Sequence, residues 1–165
     1  MFENTFHYTL LNILTTSMPQ AVALMKGNDN YSNLNGTVKL YAVPYRGTIV
    51  EAEIQNLPGS TEGDANAFFG FHIHEYGDCS DSFQNTGNHY NPAGAAHPFH
   101  AGDMPPLMST RGYAWTAFFD ARITVTDILG KSIVIHRMPD DFTSQPVGDA
   151  GEKIACGVIE SIKRA

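Results

Sequence analysis

The sequence predicts an all-β domain, an antiparallel sandwich or barrel of seven or eight short strands. Three observations support this. Short apolar-polar alternations recur along the chain, as in Val38, Leu40 and Ala42 with polar residues between them. Clusters of Gly, Pro, Asn and Asp separate these runs. After residue 20 no long stretch repeats its apolar residues with helical spacing. With 165 residues, 42% of them hydrophobic, one domain with a packed core is expected.

Residues 1–19 read as an N-terminal extension to a domain covering 20–165. Phe6, Leu10, Ile13 and Leu14 fall at helical spacing behind Asn4 or Thr5, either of which suits a helix cap. The segment is either a short amphipathic helix or a frayed leader, and His7 within it reads as a surface histidine. Ala21–Lys26 is a short apolar strand, followed by a polar turn over 28–35. Gly36–Val43 and Gly47–Ile54 alternate, and Asn56-Leu57-Pro58-Gly59 ends the second. Phe68–His74 is the next strand. Residues 77–111 contain Gly, Pro, Asn and Asp throughout without periodicity. A loop of that length is normally functional or stapled. Gly112–Phe119, Arg122–Thr126 and Lys131–His136 read as three further strands. Residues 137–151 form a second irregular loop, and Ala155–Ile162 is the last strand.

The formal net charge of −7 excludes the basic face that a nucleic-acid partner needs. No apolar run is long enough for a membrane-spanning helix. The first basic residue is Lys26 and Leu10-Leu11-Asn12-Ile13-Leu14 is short. No secretory signal is therefore expected, and the location expected is cytoplasmic, with an extracytoplasmic one open if the start is processed or truncated. Cys79 and Cys156 are the two cysteines. They read either as buried thiols or as one long-range disulfide.

Histidine distribution is the main functional signal. Five of the seven histidines lie between His72 and His100, and a sixth is His136. His72 and His74 sit two apart on a strand and share one face, while Phe71 and Ile73 point to the other. Alone, this pair is weak evidence, and the plainer reading is two partly exposed polar positions of an alternating strand. His89, His97, His100 and Asp103 add an N₃O set suited to tetrahedral zinc, which would pin the long loop. His136 with His72, His74 and His89 makes four imidazoles, suited to copper, zinc or nickel. His89 can serve both sets because imidazole has two nitrogens. Asp140 or Asp141 can accept a proton from ligand histidines, unless the pair is simply a solvated turn.

Gly70-Phe-His-Ile-His-Glu75, Gly87-Asn-His-Tyr-Asn-Pro92, His100-Ala-Gly-Asp-Met-Pro105, Val134-Ile-His136, Asp140-Asp141 and Ala155-Cys-Gly-Val-Ile-Glu160 resemble, in order, the motifs of the copper/zinc superoxide dismutases. The third and last forms are closer to bacterial members. The resemblance covers about residues 20–162. It implies a Greek-key β-sandwich or flattened eight-stranded barrel with two long functional loops, an architecture for which these dismutases are a standard example. It further implies copper ligands His72, His74, His89 and His136, and zinc ligands His89, His97, His100 and Asp103, with His89 bridging. Asp140 matches the aspartate that links ligands of the two metals, and Cys79 and Cys156 match the family's disulfide. The implied reaction is disproportionation of superoxide, with His89 also helping to deliver a proton. Family members form dimers of differing geometry, so a homodimer is implied without an assigned interface.

One residue departs from the pattern. The family's anion-binding arginine, two residues before Ala-Cys-Gly, is replaced by Lys153. Lysine keeps the charge and loses the planar fork of donors, so activity of reduced efficiency is expected. The alternative is a dismutase-like zinc- and copper-binding protein with little or no activity. A metallohydrolase fits less well, because no general base stands out beyond the ligand set.

Overall fold

The computed structural model describes residues 4–43, 47–59 and 67–162, with side chains from residue 10 onward. Helix α1 (Asn4–Thr16) precedes the strands. The caps expected of Asn4 or Thr5, and the position of the His7 side chain, lie outside the described residues. At its C-terminal end Thr15 and Thr16 hydroxyls donate back to the carbonyls of Leu11 and Asn12, and Leu11 is exposed.

The strands are β1 (Ala21–Gly27), β2 (Asn35–Val43), β3 (Gly47–Gln55), β4 (Phe68–Phe69), β5 (Phe71–His74), β6 (Leu107–Met108), β7 (Ala114–Asp120), β8 (Ser132–His136) and β9 (Lys153–Ser161). Seven form an antiparallel sheet in the order β5-β8-β9-β1-β2-β3-β7, and β4 pairs with β6. The expected Phe68–His74 strand is interrupted at Gly70, whose N–H donates to the Met138 carbonyl and whose carbonyl accepts from His136 N–H. Counting β4 and β5 as one strand gives eight. β4 leads into β5 and β6 lies beside β7, so the β4–β6 pair brings the two ends of the curled sheet together as a flattened barrel. The β3–β7 and β5–β8 neighbours are not consecutive in sequence, which gives the Greek-key crossing.

Alternation in β2 and β3 turns Val38, Leu40, Val50 and Ile54 inward. They meet Phe71, Ile73, Ile133 and Ile135 from the opposite half, all almost fully buried. On β5 the two faces divide as the period of two requires, but His72 and His74 are buried as well, at 0% and 1% exposure. The reading of these histidines as partly exposed polar positions is therefore overturned.

Two other expectations change. Arg122–Thr126 is not a strand. Thr124 accepts the Asp127 N–H as an N-cap, and Val125–Ile128 forms a short helix, α2, that buries Val125 and Ile128. A cap beside two apolar residues three apart outweighs the β-branched run. The long 77–111 segment, read as irregular throughout, contributes β6, whose two residues are too few to show a period.

Candidate metal centre

The 88–103 loop lies along the free edge of β5 as a further strand-like partner. Tyr90 N–H donates to Ile73 O at 2.8 Å, Ile73 N–H to Gly102 O at 2.9 Å, and Glu75 N–H to Asn88 O at 2.9 Å. Gly102 is needed here, because a Cβ would collide with the Ile73 carbonyl. The pairing sets His89 opposite His74 and Asp103 opposite His72. Loop residues are thereby registered against strand residues by main-chain bonds.

Two groups of side chains result. His72, His74, His89 and His136 place one nitrogen each within 4.8 Å of one another, and His89, His97, His100 and Asp103 do the same with nitrogen and carboxylate oxygen. All are buried. His89 belongs to both. Every residue expected in the two sets is thus gathered.

The hydrogen bonds select which nitrogens remain available. His74 Nδ1 lies 2.9 Å from Gly87 O, and His136 Nδ1 lies 3.1 Å from Gly151 O. A carbonyl only accepts, so each Nδ1 carries the proton and each Nε2 presents its lone pair. These two Nε2 atoms face each other at 3.2 Å, an arrangement a cation relieves. Asp140 does the same for one member of each group. Its Oδ2 is 3.0 Å from His72 Nε2 and its Oδ1 is 2.8 Å from His97 Nε2. Of the Asp140-Asp141 pair, only Asp140 reaches histidines of the two groups; Asp141 accepts from Thr143 N–H, Ser144 N–H and the Ser144 hydroxyl in its own turn.

His72 Nδ1, His89 Nε2, His97 Nδ1 and His100 Nδ1 are buried without a hydrogen-bond partner among the described residues. His97 Nδ1 is 3.1 Å and His100 Nδ1 3.4 Å from Asp103 carboxylate oxygens, in geometries that make no hydrogen bond. Four orphaned ring nitrogens in one pocket fit metal ligation and have no other satisfying partner. Burial lowers the pKa of His72 and His74 and pushes that of His136 down to about 3, with the neighbouring imidazoles adding to the effect. Neutral imidazole is the ligating form. Asp140 moves the other way relative to its burial. Desolvation alone would raise it, and hydrogen bonds from His72, Phe142 N–H and His97 bring it to about 2.

Lys153 stands opposite His136 across β8 and β9, where a bulge at Ile154 shifts the register. Its ammonium donates to Thr86 Oγ1 at 2.9 Å, Gly87 O at 3.2 Å and Phe83 O at 3.3 Å. It also lines a cleft of about 440 Å³ with Asn28, Asn30, Gln84 and Glu152. Three residues along β9, Cys156 forms a disulfide with Cys79, packed on Phe83 and Val134. The strand therefore holds the 79–87 loop at two points.

A family model described as copper/zinc superoxide dismutase matches residues 34–159. The chain belongs to the copper/zinc superoxide dismutase family. A Cu-Zn superoxide dismutase of Schizosaccharomyces pombe is 35% identical over 158 residues, covering 86% of this chain and 97% of that protein. One from Arabidopsis thaliana is 31% identical over 156 residues, covering 85% and 89%. The human copper chaperone for superoxide dismutase is 31% identical over 161 residues, covering 85% of this chain and 58% of that protein. Copper and zinc are the cofactors that family membership and the two donor groups support.

Several residues that shape the superoxide dismutase family site here escape sequence reasoning. Gln145 makes a reciprocal pair with the His97 main chain, accepting from its N–H at 3.2 Å and donating to its carbonyl at 2.7 Å. Gly148, at φ +69°, lies where a Cβ would strike Asp140 and His97. Arg122, held by Asp120, donates to the main-chain carbonyls of the turn that carries His100 and Asp103. All act through main-chain atoms or an empty Cβ position, which leave no pattern in a sequence.

Proposed function

We propose that the protein disproportionates superoxide, with His72, His74, His89 and His136 holding copper and His89, His97, His100 and Asp103 holding zinc. The observation that carries this reading is the shared His89 between two buried donor groups, in which one ring nitrogen each of His72, His89, His97 and His100 is orphaned. In the reaction one superoxide is oxidised to dioxygen, and a second takes up the electron and two protons to give hydrogen peroxide. Copper in the first group would supply the one-electron exchange, and zinc in the second a fixed positive charge beside the shared imidazole.

The protein's own groups do the rest. Gly87 and Gly151 carbonyls keep Nε2 of His74 and His136 free, and Asp140 does so for Nδ1 of His72 and His97. His89 Nε2 is the atom assigned to hand a proton to the reduced product. Lys153 is the cation assigned to the anion's approach. Its three donors are already engaged by the loop, so an incoming anion must compete for them. That supports the reduced efficiency expected of lysine at this position.

The same engagement favours a second reading, a metal-holding protein of little activity, and the human copper chaperone among the relatives is compatible with it. Superoxide consumption by protein loaded with both metals, compared with protein loaded with zinc alone, separates the two. A copper-dependent rate supports the dismutase. Equal rates at full copper occupancy leave only the metal-holding role.

A further inference from the structure

Arg122 lies outside both donor groups and outside every motif noted in the sequence. Its guanidinium is nevertheless fixed on the turn that carries half of the second group, His100 and Asp103. Asp120, buried at the end of β7, accepts from Arg122 Nε at 3.0 Å through Oδ1 and from Nη2 at 2.7 Å through Oδ2. This two-pronged pair orients the fork. The opposite side of the fork donates to the His100 carbonyl from Nη1 at 2.9 Å and to the Asp103 carbonyl from Nη2. Those carbonyls belong to the first and last residues of one turn. Inside that turn Asp103 N–H donates to His100 O at 3.1 Å, and His100 N–H donates to Asp103 Oδ2 at 3.0 Å.

We propose that Arg122 is a positioning residue for the second donor group, holding the His100–Asp103 turn in its ligating shape before any metal arrives. This deepens the metal reading above and rests on it. The planar fork is what the role requires, since two carbonyls and a carboxylate must be met at fixed angles. A side chain with one donor direction meets at most one carbonyl. The loop then has freedom to rotate His100 or Asp103 away, and forming the site on metal uptake requires ordering the turn.

The test uses the full chain stripped of metal and titrated with Co²⁺, against a competing chelator. Tetrahedral cobalt absorbs visible light, and a His100→Ala control identifies the absorption that belongs to the second group. Arg122→Gln is expected to weaken His100-dependent cobalt uptake by about 10- to 100-fold, the usual range for removing a partner that orients ligands. Its absorption band at saturation should also change shape. Arg122→Lys should fall between. A merely structural role would lower the melting temperature of the metal-free protein and leave affinity and spectrum alone. Equal affinity and equal spectra in folded wild type and variants overturn the proposal, and Arg122→Lys decides it if Arg122→Gln does not fold. Absence of any His100-dependent cobalt absorption in the wild type overturns the metal reading itself.

Discussion

Lys153 and His74 share one oxygen. The Gly87 carbonyl lies 3.2 Å from Lys153 Nζ and 2.9 Å from His74 Nδ1. The ammonium of Lys153 therefore also holds the carbonyl that orients His74. An arginine at this position has donors enough to keep the loop and still offer an N–H to an anion. Lys153→Arg should raise kcat/KM for superoxide. One added charge-assisted hydrogen bond is worth about 1–2 kcal/mol, roughly 5- to 30-fold. An unchanged or lower kcat/KM in a fully metal-loaded variant would count against Lys153 as the anion's partner.

Asp140 accepts from one histidine of each group. Asn at this position offers one accepting oxygen and one donating nitrogen. The histidine met by the nitrogen must then move its proton to Nδ1, the atom that now stands free in the group. Asp140→Asn should lower affinity for at least one of the two metals by about 10- to 100-fold. Chelator competition measures it, and wild-type affinity for both metals would show that the link has no such role.

Gly148 has φ +69°, and a Cβ there would press on Asp140 Oδ1 and come within 2.6 Å of His97 Nε2. Gly148→Ala combines left-handed strain with displacement of the linking carboxylate. It should destabilise the protein by about 1–3 kcal/mol and weaken metal retention along with it. Denaturant midpoints of the metal-free and loaded forms test this together. A variant indistinguishable from wild type in both would place Asp140 and His97 further from Gly148 than found.

The metal-free protein should lose stability on acidification. His72, His74 and His136 are held neutral by burial, with His136 down to about 3 against 6.5 when unfolded. Between those values the unfolded chain binds more protons than the folded one, so stability rises with pH across that window and levels off above it. Asp140, lowered from 3.8 to about 2, adds stability that is present above 3.8 and lost as pH falls through its folded value. Both effects have the same sign. The urea midpoint of metal-free protein should fall from pH 7 to pH 5, and a rise would contradict the neutral assignment.

The barrel was legible where strands are long enough to alternate, as in β2 and β3. It was not legible at β6, where pairing with β4 defines two residues that no period can reveal, nor at 124–128, where one cap decided between helix and strand. The two donor groups were legible because histidine is scarce and its clustering needs a cause. Their supports were not. Arg122, Gln145 and Gly148 bind or clear main-chain and carboxylate atoms that only folding brings within reach.

The proposed function requires catalytic turnover of superoxide at a centre bridged by His89. Stopped-flow decay of superoxide with wild-type protein loaded with copper and zinc, beside His136→Ala prepared identically, tests it most directly. First-order decay through many superoxides per protein, lost in the variant, is the expected result. Decay at the same rate with wild type, variant and metal-free protein would contradict it.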